Sequence, residues 1–188
     1  KSFADIAKRI EPAVVSIDAK SKTQPTVRGT APQGGGNADN DVMDFLRRQM
    51  QQKPVHAVGS GFIVDKNGYI VTNAHVVENT SRITVKLDSG EEFTAKVVGT
   101  DEQTDIAVLK IEAGRELPAV KFGDSDKAEV GDWVLAIGSP FGLAKTVTAG
   151  IISQKQRETP FASAFQRFIQ TDAAINRGNS GGPLVNVD

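Results

Sequence analysis

From Val58 onward the chain is a succession of short β-branched runs broken by glycine turns, and this limits its fold more than any other feature. Ser60–Val64, Tyr69–Thr72, Ile83–Leu87, Glu92–Val98 and Asp105–Ile111 are partly alternating and rich in Val, Ile and Thr, as strands with one buried face are. Asp65-Lys66-Asn67-Gly68 and Asp88-Ser89-Gly90 read as hairpin turns, in which the glycine supplies the positive φ that a tight turn needs. A second series comprises Leu117–Phe122, Trp133–Ile137, Thr146–Thr148, Ile151–Gln154 and Phe168–Thr171. Strands recurring every ~8–12 residues predict an all-β barrel or sandwich. The absence of alternating strands and helices disfavours parallel α/β architectures. A break near Gly114–Pro118 divides the chain into two units of similar texture, residues 1–115 and 116–188.

The N-terminal unit carries two additions. Phe3, Ile6, Ala7 and Ile10 fall at helical spacing, with Ser2 as N-cap and Pro12 as the stop, and Ala13–Ile17 then reads as a strand. Residues 20–55 hold Pro25, Gly29, Pro32, three consecutive glycines from Gly34 and the polar run Asn37–Asp41, so they form a long loop rather than a buried element. Within it, Val42, Phe45, Leu46 and Met50 share one face of a short amphipathic helix, Val42–Gln51.

Composition excludes several functions. Lys plus Arg number 22 and Asp plus Glu 23, a net charge of −1, without the basic excess a nucleic-acid binder needs. The absence of cysteine removes disulfide scaffolds, thiol nucleophiles and Cys-ligated metals. Two histidines, His56 and His75, are too few for a histidine-built zinc site, and no metal or cofactor is implied. No Gly-x-x-x-x-Gly-Lys-Ser/Thr run offers an ATP site, and no apolar run reaches the ~18 residues of a membrane span.

Three local signals carry chemistry. In Gly178-Asn179-Ser180-Gly181-Gly182 a serine lies between glycines, where a sharp turn exposes Oγ and can aim successive N–H groups at one point. Such donors stabilise an oxyanion by ~2.7–4 kcal/mol each. His75 follows the apolar run ending at Thr72, and Asp105 opens the apolar run Ile106–Leu109. Taken singly, each has an ordinary structural explanation: a flexible turn, a satisfied histidine, a capping carboxylate. Together they supply what a serine nucleophile needs, a histidine base and a carboxylate to fix its tautomer. The order His, Asp, Ser is that of chymotrypsin-like proteases and differs from subtilisin and the α/β-hydrolases. The serine motif also fits Gly-x-Ser-x-Gly, but the all-β texture and the residue order disfavour an esterase of that fold.

Gly59–Val77, Asp105–Lys110, Ala136–Thr148, Gly150–Ser153 and Phe168–Leu184 resemble the HtrA (Deg) family of serine proteases, close to its bacterial Deg branch. The resemblance implies a trypsin-like double β-barrel, with His75 as general base, Asp105 as its orienting carboxylate, Ser180 as nucleophile and the Gly178 and Ser180 amides as the oxyanion hole. Asn179 stands where digestive trypsin-like enzymes have the aspartate that pairs with a newly cut N-terminus, so activation by cleavage is not expected. Residues 138–145, 156–166 and 176–178 match the family's switching loops, and Arg157 its activation-loop arginine. The residue 20–55 insertion matches a loop that reaches a neighbouring subunit, and the Phe3 region a segment that packs trimers.

The resemblance further implies an ATP-independent endopeptidase of protein quality control in the bacterial periplasm. It would cut unfolded polypeptides after small aliphatic residues and work as a trimer or a multiple of trimers. The competing expectation is a polypeptide-binding chaperone or scaffold of the same fold with little hydrolysis. Family members continue past the position of Asp188 with closing strands, a pocket-lining loop and PDZ domains. The expectation is therefore an incomplete second barrel, inactive or poorly folded on its own, from a longer parent, with an earlier N-terminal segment removed before Lys1. His56 is expected to be solvated at a loop edge, and Tyr69 and Trp133 to lie in the core.

Overall fold

The computed structural model describes residues 2–21, 56–139, 145–157, 167–176 and 178–187, the side chains of 156 and 157 excepted. It opens with helix α1, Ala4–Ile10, and a single 3-10 turn, Glu11–Ala13. Ser2 Oγ accepts the Ala4 N–H at 3.2 Å, satisfying one of the donors a helix start leaves open. The apolar face is the one its spacing predicts: Phe3, Ile6 and Ile10 pack against buried Val14, Leu135 and Ile137.

Six strands then close a barrel. They are β1 (Val14–Ser21), β2 (His56–Asp65), β3 (Tyr69–Thr72), β4 (Thr80–Lys86), β5 (Glu92–Asp101) and β6 (Ile106–Lys110), arranged in the order β1-β2-β3-β6-β5-β4. A helical turn, α2 (Ala74–Val77), links β3 to β4. Closure removes both sheet edges. The interior holds Ile17, Ile63, Ile70, Val85, Leu109 and Ile111 with essentially no exposure. Burial of each such side chain is worth about 1.5–3 kcal/mol. The two hairpin turns form as read: Gly68 (φ 95°) donates to Asp65 O at 3.0 Å and Gly90 (φ 89°) to Leu87 O at 2.9 Å.

The remaining strands are β7 (Trp133–Gly138), β8 (Thr146–Arg157), β9 (Phe168–Thr171) and β10 (Leu184–Asn186). They form an antiparallel sheet in the order β10-β7-β8-β9 with β9 and β10 at its edges, so the second barrel is partial. The runs 146–148 and 151–154 are halves of one strand, because Gly150 between them keeps register with Val134.

Three expectations are corrected. Leu117–Phe122 is not a strand. It lies along the first barrel through Leu117 N–H to Lys66 O and Val120 N–H to Ile63 O, both 2.9 Å, and Leu117 is buried in that barrel's core. Its apolar residues serve docking rather than a ladder. Tyr69 and Trp133 lie at the surface, 38% and 51% exposed. Amphipathic rings gain from such half-burial: the Lys110 ammonium sits 5.6 Å from the Tyr69 ring centroid, and Trp133 packs on Phe3 at 5.4 Å. His56 is exposed as expected, yet it opens β2 and its Nδ1 lies 3.2 Å from Asp18 Oδ1. The amphipathic helix expected at residues 42–51 lies outside the described residues.

Candidate active site

The end of β3 and the start of β6 are neighbours in the barrel, with Thr72 opposite Ala107. That pairing brings together two residues 30 positions apart in sequence. His75 Nδ1 lies 2.7 Å from Asp105 Oδ2, and the His75 backbone N–H donates to Oδ1 of the same carboxylate at 2.9 Å. Asp105 itself has φ 56°, a left-handed conformation that Asp tolerates better than most residues. Its carbonyl accepts the Ala74 N–H at 3.1 Å and the Asn73 side-chain amide at 2.9 Å. Four bonds from three consecutive residues, Asn73 to His75, therefore hold one aspartate. Asn73 is a site residue that the sequence analysis missed.

An ionised carboxylate only accepts, so opposite it the imidazole donates through Nδ1, and in the neutral ring Nε2 carries the lone pair. The pair is not sealed away: the His75 side chain is 57% exposed and that of Asp105 35%.

Ser180 comes from the segment before β10 and crosses to the barrel. Its carbonyl accepts the Ser60 N–H of β2 at 2.8 Å. Gly181 has φ 85°, and a Cβ there would lie 2.2 Å from Ser60 O, 2.4 Å from Thr72 Oγ1 and 3.3 Å from Asn73 N. Only glycine lets this backbone seat itself against the strand end that leads to His75. Gly178, with φ 110°, needs glycine for the same backbone reason. The turn is tied internally: Asn179 Oδ1 accepts the Asn176 N–H and its Nδ2 donates to Ala174 O, both at 3.2 Å. Asn179 is thus a loop brace.

Arg157 ends β8 in register with Phe168; its side chain, residues 140–144 and 158–166, and residue 177 lie outside the described residues. No cluster of three His, Asp or Glu able to hold a metal occurs among the described residues, nor any helix long and apolar enough to cross a membrane. A groove of about 730 Å³ runs between α1, Phe62, Phe122 and β10, and none of His75, Asp105 and Ser180 lines it.

A closed barrel carrying the His75–Asp105 pair, and a partial second sheet whose glycine-held serine loop bonds to that barrel at Ser60, form the arrangement of the trypsin-like peptidases. Residues 59–188 match the family model of the trypsin-like peptidase domain, and the chain belongs to that family. Within it the chain is similar to the HtrA (Deg) proteases. It is 46% identical over 200 residues to a "Probable periplasmic serine endoprotease DegP-like" of Marinomonas sp. (strain MWYL1), covering 99% of this chain and 42% of the relative. It is 45% identical over 198 residues to the protein of the same description from Chlamydia pneumoniae, covering 99% and 40%. Among solved structures it is similar to "HtrA-type protease AlgW with tripeptide", with a TM-score of 0.77, 38% identity and coverage of 99% of this chain and 51% of that one. The chain spans about two fifths of the length of these curated relatives.

Proposed function

We propose that this chain is the catalytic part of a periplasmic serine endopeptidase that degrades unfolded or damaged polypeptides. The observation that carries the reading is the 2.7 Å bond from His75 Nδ1 to Asp105, which leaves Nε2 as the base. In this reading Nε2 takes the Ser180 Oγ proton as Oγ attacks the scissile carbonyl carbon. Asp105 holds the tautomer and stabilises the imidazolium that forms. The Gly178 and Ser180 N–H groups receive the developing oxyanion. The imidazolium then protonates the leaving amine, and water, activated by the same histidine, releases the acyl group from Ser180.

Peptide chains as substrates are supported by the relatives' description as endoproteases and by the tripeptide of the similar AlgW structure. Periplasmic location is supported by the relatives' names. A preference for small aliphatic residues before the cut, a trimer or multiple of trimers, PDZ domains in the parent chain and a signalling role for Arg157 belong to the same proposal and rest on the family resemblance. The division into an N-terminal barrel over 1–115 and a C-terminal barrel over 116–188 is part of the same proposal and rests on the break in texture near Gly114–Pro118.

The test is cleavage of unfolded casein and labelling by a fluorophosphonate, each with the intact protein and with Ser180→Ala. Cleavage and labelling, both lost in the variant, are expected. Cleavage that survives in Ser180→Ala would overturn the assignment of the nucleophile.

A further inference from the structure

Ser60 is a fully buried serine with its N–H, carbonyl and hydroxyl all hydrogen-bonded. It sits on β2 with 0% exposure, and its N–H and hydroxyl are bonded across the junction between barrel and sheet. Its N–H donates to Ser180 O at 2.8 Å. Its carbonyl accepts the Thr72 hydroxyl at 2.7 Å. Its Oγ lies 2.5 Å from Gly178 O and 2.8 Å from Ser139 N. The direction of these last two bonds is forced. A carbonyl can only accept and an amide N–H can only donate, so the single hydroxyl proton goes to Gly178 O and a lone pair receives Ser139 N–H.

Gly178 and Ser180 are the two residues whose N–H groups form the oxyanion hole in the proposed mechanism, on which this inference rests. One residue of the first barrel therefore grips both of their carbonyls, one through its main chain and one through its side chain. Holding a carbonyl fixes the neighbouring peptide planes and, through them, the aim of the N–H groups. The same hydroxyl takes the N–H of Ser139, at the start of the segment joining β7 to β8. We infer that the Ser60 hydroxyl is a positioning group of the active site, which sets the oxyanion-hole peptides and ties Ser139, the residue after β7, to them. The role lies in aim rather than in contact with substrate, so it acts on the transition state, where a displacement of about 1 Å can cost 10²-fold in rate.

Replacing Ser60 by alanine leaves Gly178 O and Ser139 N–H without their buried partner. The experiment uses the intact protein with Ser60→Ala, Ser60→Cys (similar volume, a weak donor) and Ser16→Ala. Ser16 is buried opposite Ser60 in the strand register, so its variant reports the loss of a hydroxyl from the same barrel wall. For a peptide substrate, kcat is expected to fall about 10-fold or more in Ser60→Ala and by less in Ser60→Cys, with KM within about 2-fold, since only interactions stronger in the transition state than in the ground state act on kcat. A peptide boronate, which mimics the tetrahedral state, should lose affinity in parallel with kcat/KM, while a product peptide should not. Ser16→Ala should keep its kcat at equal folded fraction. Should Ser60→Ala fail to fold, Ser60→Cys and the boronate series carry the same test. Unchanged kcat in the folded Ser60 variants, or a loss that disappears after correction for folded fraction, overturns the inference while the catalytic reading stands. Wild-type protein that neither hydrolyses peptides nor labels at Ser180 overturns the catalytic reading, and this inference with it.

Discussion

The two halves of the molecule solve the same problem with unequal means. The barrel β1–β6 closes on itself and buries a continuous core from Ala13 to Leu117. The sheet β10-β7-β8-β9 has two edges, and its packed cluster is Leu135 and Ile137 with Val14, a residue of the barrel's own first strand, covered by α1. Trp133, Phe168, Ile175 and Leu184 of that half remain at least 40% exposed. The division extends to the site. The barrel presents His75 and Asp105 through bonds made within its own wall. The serine loop is braced internally by Asn179 and is seated on the barrel through Ser60.

The largest effect is expected where the barrel fixes chemistry directly. Asp105→Asn keeps the shape but lets the imidazole adopt the wrong tautomer, so kcat should fall about 10⁴-fold with the fold intact, measured by peptide hydrolysis and circular dichroism. Next is the seating of the serine loop. Gly181→Ala puts a methyl group 2.2 Å from Ser60 O on a backbone with φ 85°, and should cost at least about 100-fold in hydrolysis by displacing Ser180, with the His75–Asp105 pair unaltered by NMR. Activity near wild type would mean that the serine loop is not seated on the barrel.

Smaller effects sharpen the contrast in packing. Leu109→Ala in the barrel should lie near the top of the range of about 2–5 kcal/mol for such truncations, and Leu135→Ala near the bottom, because the sheet's small cluster can collapse around the gap. Urea denaturation reads both, and equal losses would erase the distinction. Trp133→Ala should cost about 1 kcal/mol, the size of an aromatic pair on a half-exposed surface.

The smallest effect is electrostatic. The Ser89 hydroxyl, bonded to Glu91 at 2.6 Å, holds the Glu91 carboxyl below its ordinary value; desolvation opposes it, and the Arg115 guanidinium adds lesser lowering contributions. A lowered folded-state pKa stabilises above the ordinary carboxyl range and is lost as pH falls through the lowered value. Ser89→Ala should therefore move the Glu91 titration upward by NMR, with little change in stability at neutral pH because the carboxyl is exposed.

Much of this was legible along the chain. Alternation and glycine turns gave nearly every strand, since a half-buried strand writes its two faces into every second residue. The helical spacing of Phe3, Ile6 and Ile10 named its buried face. The misreadings share one cause. Leu117–Phe122 has strand-like residues but docks on a wall already complete, and Tyr69 and Trp133 are aromatic yet face outward. Apolar character shows that a side chain seeks cover, not which neighbour supplies it.

The candidate site divides the same way. His75, Asp105 and Ser180 stand out because their residue types and order match a known chemistry, and the flanking glycines of Ser180 announce a special backbone. Ser60 carries glycines on both sides as well, but within a β-run these read only as strand. What the sequence by itself determined is the kind of surface each segment buries and the functional groups it carries, because local periodicity and residue chemistry suffice for both. Only the tertiary structure decided that a serine on β2 holds the carbonyls of Gly178 and Ser180. That pairing joins residues about 120 positions apart, and closing such a loop is decided by the packing of the whole fold rather than by any local preference.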